Sequence, residues 1–432
     1  MQSTIAATWP RSLWADTAPE VPRNPPLAGD VRADVTVIGA GFTGLRAALF
    51  LAEAGVSVVV LDAGDVGFGA SGRTGGQVNP MMPFNSPDRL REMLGDEVFG
   101  RLAKASLGSA DELFALIETY QIECQARQKG WLRVLHTDAA RRQAEADIVA
   151  WNAHGAGMRM VEGEDLHRLS GSRAYRAAVL TPRGGAVHPL RLAQGLARAA
   201  AARGVSIHGG SAVLSLERDG GGWVARTGGG AVRSGKVIVA TNGYTGDLLP
   251  GLKRSLLPLT PIQIATEPLD PEVIDTILPE GHTISDSRRV IMYARREPGN
   301  RIVYGSHGRL ARDGTVRGHE TVRRDAERVF PQLRGARWSH RWGGRIALTE
   351  DHLPHLHEPQ PGLIAGLGYN GRGVAMSHVM GRVMAERVLG APPGALPLPA
   401  TPVADYPMRG VKLLGMGTAV RAMRFMDWLE TR

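Results

Sequence analysis

The chain has 432 residues, 43% of them apolar, with a formal net charge of +9, so a large buried core is available to one domain or to two interleaved ones. Its single cysteine, Cys124, excludes an internal disulfide, a thiolate metal cluster and a redox CxxC pair. No run of about eighteen apolar residues exists for a spanning helix, which leaves membrane contact at most peripheral.

The arginines are spread along the chain, and their densest stretch, 323–345, is interrupted by Asp325, Glu327 and Trp338. The positive charge therefore reads as a solvated exterior, and a nucleic-acid partner is not expected. Residues 1–14 lack a basic start followed by an apolar core, so no secretory signal is expected, and with one cysteine a reducing, cytoplasmic location is the economical reading.

Residues 18–30 carry Pro22, Pro25 and Pro26 and read as an extended lead-in. Val35-Thr36-Val37-Ile38 then reads as a strand. It is followed by Gly39-Ala40-Gly41-Phe42-Thr43-Gly44 and a helical pattern with Leu45, Ala48, Leu49 and Ala52 on one face, closed by Gly55. The apolar run 56–61 ends at Asp62 and reads as a parallel strand buried on both faces, which makes the unit β-α-β. G-x-G-x-x-G between a strand and a helix, with an acid about twenty residues on, is a dinucleotide signature. The glycines let backbone amides reach a pyrophosphate, and Asp62, with Ala63 beside it, is placed for ribose hydroxyls.

A second glycine-rich segment follows at once: Gly67-Phe68-Gly69-Ala70-Ser71-Gly72-Arg73-Thr74-Gly75-Gly76-Gln77. Further on, Pro189 opens a helix with Leu192, Ala193, Leu196 and Ala200 inward, and strands are expected at 205–208 and 237–240. A last amphipathic helix is expected at 373–389, stopped by Gly390. Residues 408–428 mix basic and apolar types, as an interfacial helix does, although packing on the protein itself or on a partner subunit is the plainer reading.

The 67–77 segment resembles the G-x-G-A-S-G-R-N-G-G stretch of FAD-dependent amine and amino-acid oxidoreductases, the family of D-amino-acid oxidase, glycine oxidase and sarcosine oxidase, and within it the gamma-glutamylputrescine oxidoreductase subgroup. Val239-Ala240-Thr241-Asn242-Gly243-Tyr244, Trp342-Gly343-Gly344 and Gly366-Leu367-Gly368-Tyr369-Asn370-Gly371-Arg372-Gly373-Val374 extend the likeness over nearly the whole chain.

The resemblance implies an α/β fold, with a Rossmann-like FAD-binding domain and an interleaved α+β substrate domain on a mixed or antiparallel sheet. Residues 1–30 would be an extended lead-in, 31–87, 153–245 and 341–400 the FAD-binding domain, 88–152 and 246–340 the substrate domain, and 401–432 a C-terminal extension. It also implies that Ser71 and Arg73 hold the pyrophosphate and ribityl region, and that Thr74 to Gln77 pass the flavin ring. Val213 would meet adenine by its backbone, Thr241 and Gly243 would line the dinucleotide, and the segment from Gly371 to Val374 would aim a helix N-terminus at the pyrimidine side.

Three departures bear on function. Thr74 stands where the family has Asn. Ile346 stands where amino-acid-specific relatives have an arginine, which puts the family's carboxylate clamp in question and favours an amine, a secondary amine or a cyclic imino acid. No cysteine matches the attachment residue of the covalent members, so FAD is expected to be non-covalent.

The activity implied is C–N oxidation by an oxidase or dehydrogenase, with molecular oxygen or another acceptor taking the electrons. Tyr293, His352, Tyr369, Asn370 and Arg372 are the first candidates near the reacting atoms. A flavoprotein acting on a modified tRNA base and a flavin-binding electron-transfer subunit are the alternatives. His352, His355 and His357 resemble a metal cluster, but Pro354 breaks helical spacing and no metal is expected. Ser71 does not sit in G-x-S-x-G, which excludes a hydrolase elbow.

Overall fold

The computed structural model describes residues 9–82, 84–311 and 314–430. Two eight-stranded sheets organise them. In the first, strands 355–360, 363–367, 231–239, 31–38, 58–61 and 206–208 lie side by side in that order. The four pairings from 363–367 to 206–208 are parallel, 355–360 pairs antiparallel at one edge, and strands 215–219 and 222–226 add an antiparallel hairpin to 231–239. Val58–Leu61 is buried at every position, Val58 and Val60 in the core shared with the helices and Val59 and Leu61 against Leu27, Ala225 and Val232.

The second sheet is mixed, in the order 338–343, 261–266, 301–307, 293–297, 283–286, 131–135, 177–181, 159–162, with only 131–135 and 283–286 parallel. This is the α/β architecture with a mixed second sheet that the sequence implied.

The chain divides between the layers differently from the expected boundaries. Strands 159–162 and 177–181 fall within the stretch expected in the first domain, yet they pair in the second sheet. Helix Asp96–Thr119, expected with the substrate domain, puts Phe99, Leu102, Leu107, Ala110 and Leu113 into one core with helices Phe42–Glu53 and Gly373–Val388. Its apolar face recurs every three to four residues and packs along helix Gly373–Val388, which flanks the first sheet. The lead-in is also not wholly extended. Ser12 caps a short helix, Leu13–Thr17, that buries Trp14 completely.

Register decides where the glycines meet. Ile38 lies opposite both Leu61 and Val239, so the three central strands end level. Gly39, Asp62 and Ala240 therefore emerge together at the carboxyl edge, the edge at which open parallel sheets bind ligands.

Candidate active site

At this edge Gly39 has φ +113, and a Cβ on it would lie 2.8 Å from the carbonyl oxygen of Ala240. Only glycine lets the turn sit so close to the neighbouring strand. Gly41 is the N-cap of helix Phe42–Glu53 and contributes no side-chain acceptor, which leaves the positive end of the helix open apart from Phe42, whose N–H donates to Ser71 Oγ at 3.0 Å. Ala40 N–H donates to Asp62 Oδ2 at 2.7 Å and Gly64 N–H to Oδ1 at 2.8 Å. Burial raises the Asp62 carboxyl above its usual range, and these two donors oppose that.

The 70–77 segment is held by its carbonyls. Trp342 Nε1 and Gln263 Nε2 donate to Arg73 O at 3.0 and 2.8 Å, and Trp14 Nε1 donates to Thr74 O at 2.9 Å. Arg295 Nη1 donates to Gly75 O at 3.1 Å, Gly76 O at 2.8 Å and Val187 O at 2.8 Å. Arg295 is itself buried and paired with Glu297. Every carbonyl from Arg73 to Gly76 is thus bound by a named side chain. The Tyr293 ring lies against Gly75, where a Cβ would come within 2.9 Å of it.

A cavity of about 1170 Å³ opens beside this segment. One wall is Arg73, Thr74, Gly75 and Gln77, a second is Asn370, Gly371, Arg372 and Val374, and a third is the second sheet with Trp131, Gln263 and Tyr293. The C-terminal helix Arg409–Glu430 covers part of it through Lys412, Met416 and Met423. The turn before helix Gly373–Val388 is fixed by Asn370, whose φ is +49. Its Oδ1 accepts from Thr349 N–H at 3.0 Å and its Nδ2 donates to Gly368 O at 2.6 Å. This helix also lacks a side-chain cap, so its amide end is open toward the cavity wall.

Charge in the cavity is one-sided. Its carboxylates are Asp147, paired with Arg133 at 3.0 Å, and Asp286, paired with Arg288. Arg372 has neither an acidic partner nor a hydrogen-bond acceptor for its side chain among the described residues. Its guanidinium lies 4.6 Å over the Trp131 ring, and its Nε is buried without a partner. Burial and then Arg133 push its pKa down to about 10, so it remains cationic at neutral pH. Arg345 sits over Tyr244, and Arg73, over Phe68, has its pKa lowered by burial.

The expected residues divide accordingly. Tyr293, His352, Asn370 and Arg372 line the cavity. Tyr369 does not. Its buried hydroxyl lies 2.6 Å from Thr43 Oγ1, which ties it to helix Phe42–Glu53. His352, at φ +59, packs its ring tilted against Phe84, and its Nδ1 is buried without a partner. Ile346 lines the cavity beside Arg345.

Ala70 reaches the cavity edge, while Gly72 and Gly76 are backbone supports. Thr241 bonds Thr245 at 2.7 Å, and Gly243 packs on Arg345 O. Gly368 N–H donates to Asn242 Oδ1 at 2.9 Å, Gly373 packs on Tyr369, Val213 packs between two patches of the first layer, and Ala63 is exposed. His355 pairs with Asp351, and His357 Nδ1 lies 2.8 Å from Thr401 O. The sequence reading missed Trp14, Trp131, Gln263 and Arg295. Two tryptophans, Trp9 and Trp14, just before the proline-rich stretch were the one available signal.

The chain matches the family described as FAD dependent oxidoreductase over residues 34–387. It is 33% identical over 391 residues to a probable oxidoreductase, OrdL, of Haemophilus influenzae, covering 88% of each chain. It is also 33% identical over 379 residues to a gamma-glutamylputrescine oxidoreductase of Escherichia coli, covering 84% of this chain and 85% of that one. The crystal structure of glycine oxidase from Geobacillus kaustophilus superposes with a TM-score of 0.71 at 22% identity, over 83% of this chain and 95% of that chain.

Proposed function

The chain belongs to the FAD-dependent oxidoreductase family and is an FAD enzyme of the amine and amino-acid oxidoreductase type, and from that premise we propose that it oxidises the C–N bond of a small amine bearing a carboxylate or similar oxyanion. The observation that carries this reading is the cavity's electrostatics: one half-buried guanidinium, Arg372, whose Nε is buried without a partner among the described residues, and no unpaired carboxylate. Bound non-covalently, FAD supplies a hydride acceptor at N5, so that the amine becomes an imine that water hydrolyses.

The residues fit the cofactor. The uncapped helix end at Gly41 suits a pyrophosphate, and Asp62 keeps lone pairs for ribose hydroxyls. The pinned 73–77 segment suits a rigid ring, and the open amide end at Gly373 suits a negative edge. Cys124 is buried and its pKa is raised to about 12, chiefly by burial, which supports non-covalent binding.

Arg372 would take the substrate's anionic group, held on the Trp131 face. The same positive wall lowers the pKa of an incoming ammonium, because no carboxylate stabilises it there. The amine is thereby favoured in the neutral form, whose lone pair hydride loss requires. Tyr293 and His352 would border the reacting carbon, while Asn370 would position the turn at the cavity wall. Sheet membership suggests a functional split in which the first sheet and its helices carry the cofactor and the mixed sheet carries the substrate.

The test is anaerobic titration of the flavin absorbance with gamma-glutamylputrescine, pipecolate, proline, sarcosine and D-alanine. Gamma-glutamylputrescine comes first because a relative at 33% identity carries its name. Bleaching by any of them supports the reading, and readmitted air then separates an oxidase from a dehydrogenase. A flavin that none of them bleaches sinks it.

A further inference from the structure

Helix Arg409–Glu430 has two unlike faces. The inner one is engaged with the protein. Met416 and Met423 line the cavity, Arg424 Nη2 donates to His307 O at 2.7 Å, Asp427 accepts from the N–H groups of Arg289 and Val290 at 3.1 Å each, and Glu430 pairs with Arg289 at 2.7 Å. The outer one follows helical spacing through Val411, Leu414, Thr418, Arg421, Phe425 and Leu429, and all six are exposed, Leu414 by 89% and Val411 by 68%. Phe425 stacks on Trp428 at 5.7 Å, which extends the stripe sideways.

We propose that this face seats the protein on an anionic lipid surface, with the helix lying in the interface above the cavity. Charge selects that occupant. Both acids of the helix are held by Arg289, and the one charge within the stripe is Arg421, which has no acidic partner among the described residues. A bilayer rich in anionic headgroups complements an apolar stripe with an embedded arginine, and it places no demand on shape.

A second copy of the chain is a poor complement. Antiparallel two-fold pairing along a stripe running from 411 to 429 centres near residue 420, which brings two Arg421 side chains together on molecules that each carry +9. A further observation concerns the helix itself. Gly410, Gly415 and Gly417 have open space where a Cβ would stand, so packing on the protein does not require them, and each lowers intrinsic helicity. A helix so composed draws its order from the surfaces on its two sides. No helix among the described residues is long and apolar enough to cross a membrane, so the contact is interfacial.

The experiment is co-sedimentation of the full, FAD-loaded chain with vesicles of phosphatidylcholine alone and with about one-third phosphatidylglycerol. Binding is expected to be roughly tenfold or more stronger on the anionic vesicles and to weaken with salt. Leu414→Asp combined with Phe425→Asp should abolish it, and Arg421→Glu, at an exposed position, should weaken it severalfold, with flavin absorbance and the melting curve confirming folding in each. Sedimentation with neither vesicle, or equal sedimentation of the variants, overturns the proposal. A lipid-free dimer that Leu414→Asp dissociates also overturns it, by assigning the face to a second copy.

Discussion

Trp342 donates its indole N–H to the carbonyl of Arg73 at 3.0 Å, a bond between residues 269 positions apart that ties the mixed sheet to the glycine-rich segment of the first layer. Trp14 makes the matching bond to Thr74 O from the lead-in. Trp14→Phe keeps most of the packing and leaves that carbonyl without its donor, at a cost of about 1–3 kcal/mol if it stays buried. Part of this cost should appear as loosened FAD, with the dissociation constant rising roughly tenfold. Flavin fluorescence on dilution measures it, and an unchanged constant would show that the lead-in has no part in the site.

Asp62 receives Ala40 N–H and Gly64 N–H on its two oxygens, so it shapes the turn that would meet the dinucleotide. Asp62→Ala removes both acceptors. FAD affinity should fall by roughly a hundredfold or more, since two backbone donors and the proposed ribose contact lose their partner together. Equilibrium dialysis against FAD reads this directly, and retention of stoichiometric FAD after dialysis would refute the role.

Arg372→Gln should raise KM for a carboxylated amine by roughly tenfold or more, a charged hydrogen bond being worth about 1.5–3 kcal/mol. The FAD content should stay near that of the wild type. Comparing the variant on sarcosine and on a simple alkylamine separates the possibilities, because only the carboxylated compound should discriminate. Loss of flavin with no change in discrimination would reassign Arg372 to the cofactor.

His378 is wholly buried, its two ring nitrogens lack partners, and burial, followed by Arg46, holds its pKa at about 3 against an ordinary 6.5. His188 is held at about 3 for a similar reason. Between those values the unfolded chain binds protons that the folded one refuses. Stability is therefore complete above about pH 6.5 and falls as pH drops toward 3, by at most about 1.4 kcal/mol per pH unit for each histidine. His378→Leu should flatten the decline of the melting temperature between pH 7.5 and 5, and an identical slope in wild type and variant would place the acid sensitivity elsewhere.

The sequence by itself determined the first βαβ unit, the place of Asp62 and the likeness of residues 67–77 and 366–374 to an FAD family. It could do so because these depend on local periodicity and on glycines that a close turn requires within a few residues. It also supplied most of the cavity's near wall, since Arg372 and Asn370 lie inside a legible motif. Tyr369, in the same motif, does not line the cavity, and its side chain is held by Thr43, far away in sequence. Helix 96–119 and strands 159–162 and 177–181 lie across the expected division between the layers, since a strand's sheet is chosen by long-range pairing and a helix's neighbour by which other apolar stripes are free. Only the tertiary structure assembled Trp14, Gln263, Arg295 and Trp342 around the carbonyls of residues 73–76, and only it showed Arg372 without a counter-charge. Satisfaction of a buried polar group is a property of everything packed around it, and no stretch of chain carries that information alone.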